Sequence, residues 1–264
     1  MEEFNNHTFA ISAYKESAYL EECIKSVINQ EVKSKIIIVT ATPNEYIANI
    51  AAEYDIPVYI REGSPDIQDD WNYGYLKADT QYVTITHQDD IYNKNYSEIL
   101  KQYVDDNRKQ LIFFTDYREL KNGKETPLTV NLKIKKLMMF PLRFKVLRSN
   151  KFMRRCILSL GSPICCPTVT FNKEEGFSKP FTSEMKCSLD WDTWYKYSKE
   201  KGDFTYINKE LLYHRIHEES ETTNSIANNV RQTEDYTMFR KFWSKPIAKV
   251  LAKAYSKSLD TNEL

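Results

Sequence analysis

The amino-acid sequence predicts an α/β protein in which a mostly parallel sheet carries helices on both faces and a helical elaboration follows at the C-terminus. Three observations carry that expectation. Runs of β-formers alternate with segments of helical period through the first 120 residues, the pattern of successive βαβ units. The run 35–40, KIIIVT, is apolar without alternation, as expected of a strand covered on both faces. Hydrophobic residues make up 41% of 264 positions, with 18 Tyr and 13 Phe, enough for a sizeable core.

The elements follow in order. Residues 8–13, TFAISA, read as the first strand. The helix after it, 17–30, spaces Leu20, Cys23, Ile24, Val27 and Ile28 on one face, with Ser17 as its cap and Glu21 and Glu22 in its first turn. Strand 35–40 leads to helix 44–54, the short strand 57–60, helix 68–78 and strand 81–86. Helix 95–106 and strand 110–117 complete this half. The pattern then changes. Residues 131–156 hold nine Lys or Arg and no Asp or Glu, interleaved with Leu, Met and Phe. Loop into strand is expected over 161–171, a helix from about Leu189, a strand over 204–217 and a polar stretch at 218–225. The tail from about 230 reads as one or two helices broken at Pro246. No internal repeat or low-complexity linker divides the chain, so one compact unit, 1–223, is expected with a helical tail, 224–264.

Composition excludes some functions. Lys plus Arg equal Asp plus Glu at 37 each, without the basic excess that nucleic-acid binding needs. The N-terminus has no charged leader ahead of an apolar stretch, and no run nears the roughly 18 apolar residues of a membrane span. Five cysteines, Cys23, Cys156, Cys165, Cys166 and Cys187, lack CxxC spacing. A reducing cytoplasm fits them.

Three clusters can carry chemistry. His87, Gln88, Asp89 and Asp90 stand at the carboxyl end of a predicted strand, where ligands of such sheets bind. Adjacent carboxylates raise each other's cost of ionising, and a hard divalent cation would relieve it; capping of the next helix is the other reading. Asp190 and Asp192 flank Trp191 at a predicted helix start, as general base or as caps. His214, Arg215 and His217 follow along strand-like sequence. An imidazole there suits a metal and a guanidinium suits phosphate, although strand alternation does not put both imidazoles on one face.

Together the clusters resemble the inverting family 2 glycosyltransferases of the GT-A fold, over residues 8–223. ISAYKESAYLEECIKSVINQ is similar to that family's first strand, nucleotide loop and first helix, and WNYGYLKADTQYVTITHQDD to its Asn-x-Gly segment leading into the metal motif. SLDWDTW resembles the stretch with the catalytic base, and YHRIHEESETT the Arg-x-His stretch that closes over metal and diphosphate. The resemblance implies a Rossmann-like sheet with a nucleotide-sugar half, 1–120, and an acceptor-side half, 121–223. It implies Asp190 as base, Mn²⁺ or Mg²⁺ on Asp89, Asp90 and His217, and Arg215 at the phosphates. Ala13, Tyr14, Glu16, Thr40, Asn72, Gly74, His87 and Gln88 would line the donor site. Trp191 or Trp194 would stack on an acceptor sugar or else fill the core. The donor implied is a nucleoside-diphosphate sugar, a UDP-sugar before others, and the acceptor a glycan or lipid-linked glycan.

The departures are His87 at the first Asp of the metal motif, Thr40 and Ala41 at the acidic pair that holds the base, and Leu189 where Glu is usual. They keep a non-catalytic nucleotide or sugar binder as the alternative. A sugar nucleotidyltransferase would need a Gly-rich loop after strand one; the chain has SAYKES there and six Gly in all. The basic stretch 131–156 reads either as peripheral contact with an anionic membrane, at the inner face of the cell membrane, or as solvated amphipathic helices.

Overall fold

The computed structural model describes residues 2–217 and 230–260. Its sheet is built on β1 (Glu3–Ser12), which pairs in parallel with β2 (Lys33–Thr40) on one side and β4 (Tyr82–His87) on the other. β3 (Val58–Ile60) adds to β2, also in parallel. Beyond β4 the order is β8 (Thr170–Asn172), β6 (Gln110–Lys121), β9 (Asp203–Ile216) and β5 (Ile91–Tyr92), with β7 (Lys124–Glu125) paired to β6. β8 runs antiparallel to both β4 and β6, whereas β6 and β9 are parallel.

The unbroken apolar run of β2 has a direct cause. Ile37 and Val39 join the core on one face of the sheet and Ile38 the core on the other, as Ala10 and its neighbours Phe9 and Ile11 do in β1. Successive side chains point to opposite faces, and helices cover both. α1 (Leu20–Ile28), α2 (Glu45–Glu53) and α4 (Tyr96–Tyr103) cover one face; α3 (Ile67–Lys77), α7 (Lys151–Leu158) and α8 (Leu189–Tyr197) cover the other. Ser17 does not cap α1: the helix starts at Leu20, and the Ser17 hydroxyl accepts from the Tyr19 N–H at 3.3 Å in a turn before it. β1 begins five residues earlier than its sequence suggests. His7 is buried there because its ring nitrogens meet Ser34 Oγ at 2.9 Å and Thr84 Oγ1 at 2.8 Å.

The basic stretch forms α5 (Val130–Met139), a 3₁₀ turn (Phe140–Arg143), α6 (Lys145–Arg148) and α7. Thr129 and Asn150 cap α5 and α7 by accepting from Leu132 and Met153 N–H. Four of its nine cations serve the interior. Arg148 and Arg154 are buried on backbone carbonyls, Lys135 donates to Tyr117 Oη and Lys136 pairs with Glu210.

The tail contributes α9 (Val230–Arg240) and α10 (Lys245–Asp260). The break falls at 241–244, before Pro246, which sits in the first turn of α10, where its missing N–H costs nothing. Met238, Phe239 and Ala248 are buried in the same core as Trp191 and Phe171. The expected boundary at 223/224 and the polar stretch 218–225 lie outside the described residues. All five cysteines are free, and no helix among the described residues is long and apolar enough to cross a membrane.

Candidate active site at the strand ends

β4 ends at His87, and a turn through residues 88–90 hands the chain to β5, which pairs antiparallel with β9, Ile91 opposite Tyr213. That pairing brings the His214–His217 stretch against the two aspartates. Asp90 is fully buried; its Oδ1 accepts from His214 Nδ1 at 2.9 Å and from the Arg215 N–H at 3.0 Å. Asp89 Oδ2 lies 2.9 Å from His217 Nε2. Arg215 braces the turn from behind, donating from Nε to the Asp89 carbonyl at 3.0 Å and from Nη2 to Glu22 at 2.5 Å. The adjacent carboxylates therefore have separate imidazole partners, His214 for Asp90 and His217 for Asp89. His217 follows the last residue of β9, so strand alternation no longer governs it.

Protonation follows from these contacts. Burial works against ionising Asp89, but the His217 hydrogen bond and the positive character of His87 and His214 hold it below the usual carboxylate range. Burial also works against charging His214, yet the Asp90 carboxylate beside it wins, and the imidazole is pushed up to about 9. His87 is lowered by burial. Its ring stacks on Trp71, centroids 4.7 Å apart at 17°, and Trp71 in turn leans on Phe181.

His87, Asp89 and Asp90 offer ligand atoms that all lie within 4.8 Å of one another. Asp90 Oδ2 and His87 Nε2 are buried without a hydrogen-bond partner, a costly arrangement for polar atoms. His87 turns its other ring nitrogen, Nδ1, toward Asp90 Oδ2 at 3.9 Å, and a divalent cation between such groups would satisfy the carboxylate oxygen. Two carboxylates with an imidazole suit Mn²⁺, and Mg²⁺ with more reliance on oxygen.

The expected donor-side residues fall into two groups. Tyr14 and Glu16 stand exposed on the loop after β1, and Ala13 is buried at its base. Gln88 clips that loop to the acidic turn, accepting from the Tyr14 N–H at 2.9 Å and donating to the Tyr14 carbonyl at 3.2 Å. Thr40, Asn72 and Gly74 are buried within the framework. Thr40 Oγ1 accepts from the Thr42 N–H. Asn72 takes the backbone N–H of Phe181 on Oδ1 and gives Nδ2 to its carbonyl, at 3.1 and 2.6 Å. A Cβ on Gly74 would meet Val39 Cγ2 at 3.2 Å and Ala10 Cβ at 3.3 Å, so the glycine lets α3 lie against β1 and β2. These three shape the site through packing, since their polar atoms or their backbone are already engaged inside.

On the other side Asp190 opens α8. Its Oδ1 accepts from the Trp191 N–H at 2.6 Å and its Oδ2 lies 3.4 Å from Ser162 Oγ. Burial raises its pKa, opposed by the Arg231 and Lys135 cations. Asp192 faces away, is paired with Lys196 at 2.9 Å and with Lys241, and is held low by them against burial. Trp191 and Trp194 are core residues, and Trp191 Nε1 donates to the Leu158 carbonyl at 2.9 Å, so neither ring is offered to a sugar. Sequence reasoning missed Trp71, Glu22, Ser162, Lys135 and Arg231. Trp71 adjoins Asn72 and had a signal; the others come from distant segments and had none.

A sheet of this order, with a metal-competent acidic turn at one strand end and a carboxylate at a helix start beyond it, is that of the GT-A class of nucleotide-sugar glycosyltransferases. The chain belongs to glycosyl transferase family 2, whose model matches residues 8–180. Among solved structures it is similar to S. aureus TarS in complex with UDP-GlcNAc, at 15% identity and TM-score 0.61, covering 96% of this chain and 70% of that one. It is also similar to the mannosyltransferase PcManGT from Pyrobaculum calidifontis in complex with GDP-Man and Mn²⁺, at 14% identity and TM-score 0.58, covering 95% and 69%. Glucosyl-3-phosphoglycerate synthase from Mycobacterium tuberculosis, in complex with Mn²⁺ and UDP-glucose, matches at 13% identity and TM-score 0.50, covering 88% and 77%. At these identities the likeness is one of fold. No curated protein sequence matches the chain.

Proposed function

We propose that the protein is a metal-dependent inverting glycosyltransferase that moves a sugar from a nucleoside-diphosphate sugar to an acceptor hydroxyl, in the assembly of cell-surface polysaccharide or another glycan. One observation carries the reading: His87, Asp89 and Asp90 bring ligand atoms within 4.8 Å of one another at the end of β4, with Asp190 separate from them at the start of α8. Asp89 is kept ionised by imidazoles, whereas Asp190, with its pKa raised by burial, is poised to accept a proton.

The division of labour follows. Asp89 and Asp90, with His87 or His217, would hold a divalent cation, whose charge would offset that of the departing diphosphate. Arg215 and Gln88 hold the turn and the Tyr14 loop in register with each other. Asp190 takes the proton from the acceptor hydroxyl as its oxygen bonds to the anomeric carbon on the face opposite the diphosphate, so the configuration inverts. Similar folds have been solved with both UDP-sugars and GDP-Man, which leaves a UDP-sugar as the first donor to try.

A thermal-shift screen of UDP, GDP and their sugars, with and without Mn²⁺, tests the donor half. A native-state ligand at a hundred times its Kd adds about 2.7 kcal/mol, so one nucleotide should give a clear metal-dependent rise. No rise with any of them would overturn the reading. A non-catalytic binder would show the same rise with no transfer from any donor to any acceptor.

A further inference from the structure

The outward side of residues 130–160 is apolar and cationic together. Val130, Ile134 and Leu137 recur at i, i+4 and i+7, one stripe of α5, and all three face solvent, Val130 and Leu137 at 72% and 73% exposure. Leu132 and Met139 are buried on the inward side of that helix. The stripe continues through Phe140 and Phe144, whose rings meet edge to face at 5.8 Å, to Val146 at 77% exposure and Phe152 at 75%. Each piece packs on the next, α5 on the 3₁₀ turn, the turn on α6, and α6 on α7. An exposed apolar tract of this extent marks a contact surface.

The charges carried by residues 131–156 themselves all have one sign. Lys133, Arg143, Lys145, Lys151 and Arg155 are exposed among these side chains, and 131–156 holds no acidic residue. Arg143 lies over the Phe140 ring at 5.5 Å, Lys145 stands 3.8 Å from Asp105, Lys151 donates to the Lys199 carbonyl, and Arg155 lies over Tyr195. A second copy is a poor occupant, since symmetric pairing of one face would set its cations against themselves.

We propose that this face docks on an anionic lipid bilayer, with Leu137, Phe144, Val146 and Phe152 entering the interface and the five cations meeting acidic headgroups. α5 then carries the docking stripe outward and Lys135 inward, where Lys135 holds Tyr117, whose ring lies 6.0 Å from His214. The inference is independent of the proposed reaction, because lipid binding is read without turnover.

Co-sedimentation of the full 264-residue chain with vesicles of phosphatidylglycerol and phosphatidylcholine, or of phosphatidylcholine alone, tests it. The protein should pellet with the anionic vesicles only, and less so as NaCl is raised. Each cation near such a surface contributes roughly a fivefold factor, so Arg143→Glu/Lys145→Glu/Lys151→Glu should weaken binding more than tenfold. Leu137→Ser/Phe144→Ser/Phe152→Ser should do the same, with the melting temperature kept in both sets. Equal binding to neutral vesicles, no binding to anionic ones, or binding by both variants at wild-type strength overturns the proposal. So does a dimer in sedimentation equilibrium that the apolar variant dissolves while vesicles pellet nothing. Salt sensitivity of the unmodified chain remains decisive if a variant fails to fold.

Discussion

Two neighbouring aspartates disfavour each other's ionisation, and the structure shows how the chain accommodates them. Asp90 points inward to His214 and Asp89 outward to His217, so repulsion is offset by two imidazoles before any metal arrives. His87→Asp places a third carboxylate beside them and removes the stacking on Trp71; melting without metal should fall, and the rise on adding Mn²⁺ should exceed that of the wild type. An unchanged Mn²⁺ response would show that position 87 does not face the cation. Asp190→Asn should cut transfer by 10²–10⁴-fold, the range of general base catalysis, while the nucleotide-induced thermal shift survives. A base must be unprotonated to work, and burial raises Asp190, so kcat should fall as pH drops through a value above the ordinary carboxylate pKa of about 4. Arg231 opposes that shift; Arg231→Gln should move the acid limb to higher pH, and a limb that stays in place would remove Arg231 from the site's electrostatics.

Among the elements, α3 and α8 show what local sequence conveys. The pairing of Asn72 with Gly74 marks a special helix, and both residues act through packing. Gly74→Val forces side-chain atoms into the contact with Val39 and Ala10, where overpacking costs about 1–3 kcal/mol, read as a lower denaturation midpoint. In α8, Asp190 and Asp192 look equivalent in the sequence, two carboxylates around one tryptophan. They diverge because Lys241, in the break after α9, and Lys196 pair with Asp192. Asp192→Ala should cost about 1.5–3 kcal/mol, the loss of charged hydrogen bonds, with kcat spared relative to Asp190→Asn. The run 131–156 reads as one basic tract, yet Arg148 and Arg154 belong to the core because backbone carbonyls are aimed at them, that of Leu142 at Arg148 and those of Glu200 and Gly202 at Arg154. Charge counts along a chain cannot separate an inward guanidinium from an outward one.

For the molecule as a whole, α9 and α10 complete the core, with Met238, Phe239 and Ala248 packed among residues of the sheet and α8. A chain ending at residue 229 should therefore lose cooperative unfolding or aggregate; a soluble truncation with a sharp two-state melt would contradict this. The sequence by itself determined the alternation of strands and helices, the two-sided burial of β2, and the acidic turn at the end of β4. Those are local matters of period, length and residue type, which are set along the chain. Only the tertiary structure decided that β8 slips antiparallel between β4 and β6, that β9 brings His214 and His217 onto adjacent aspartates, and that Trp191 and Trp194 are core while Trp71 supports His87. It also decided that Lys135 and Arg231 stand near Asp190. Each of these is a meeting of residues from sixteen to more than a hundred positions apart, fixed by sheet register and helix packing, for which no spacing in the sequence holds a record.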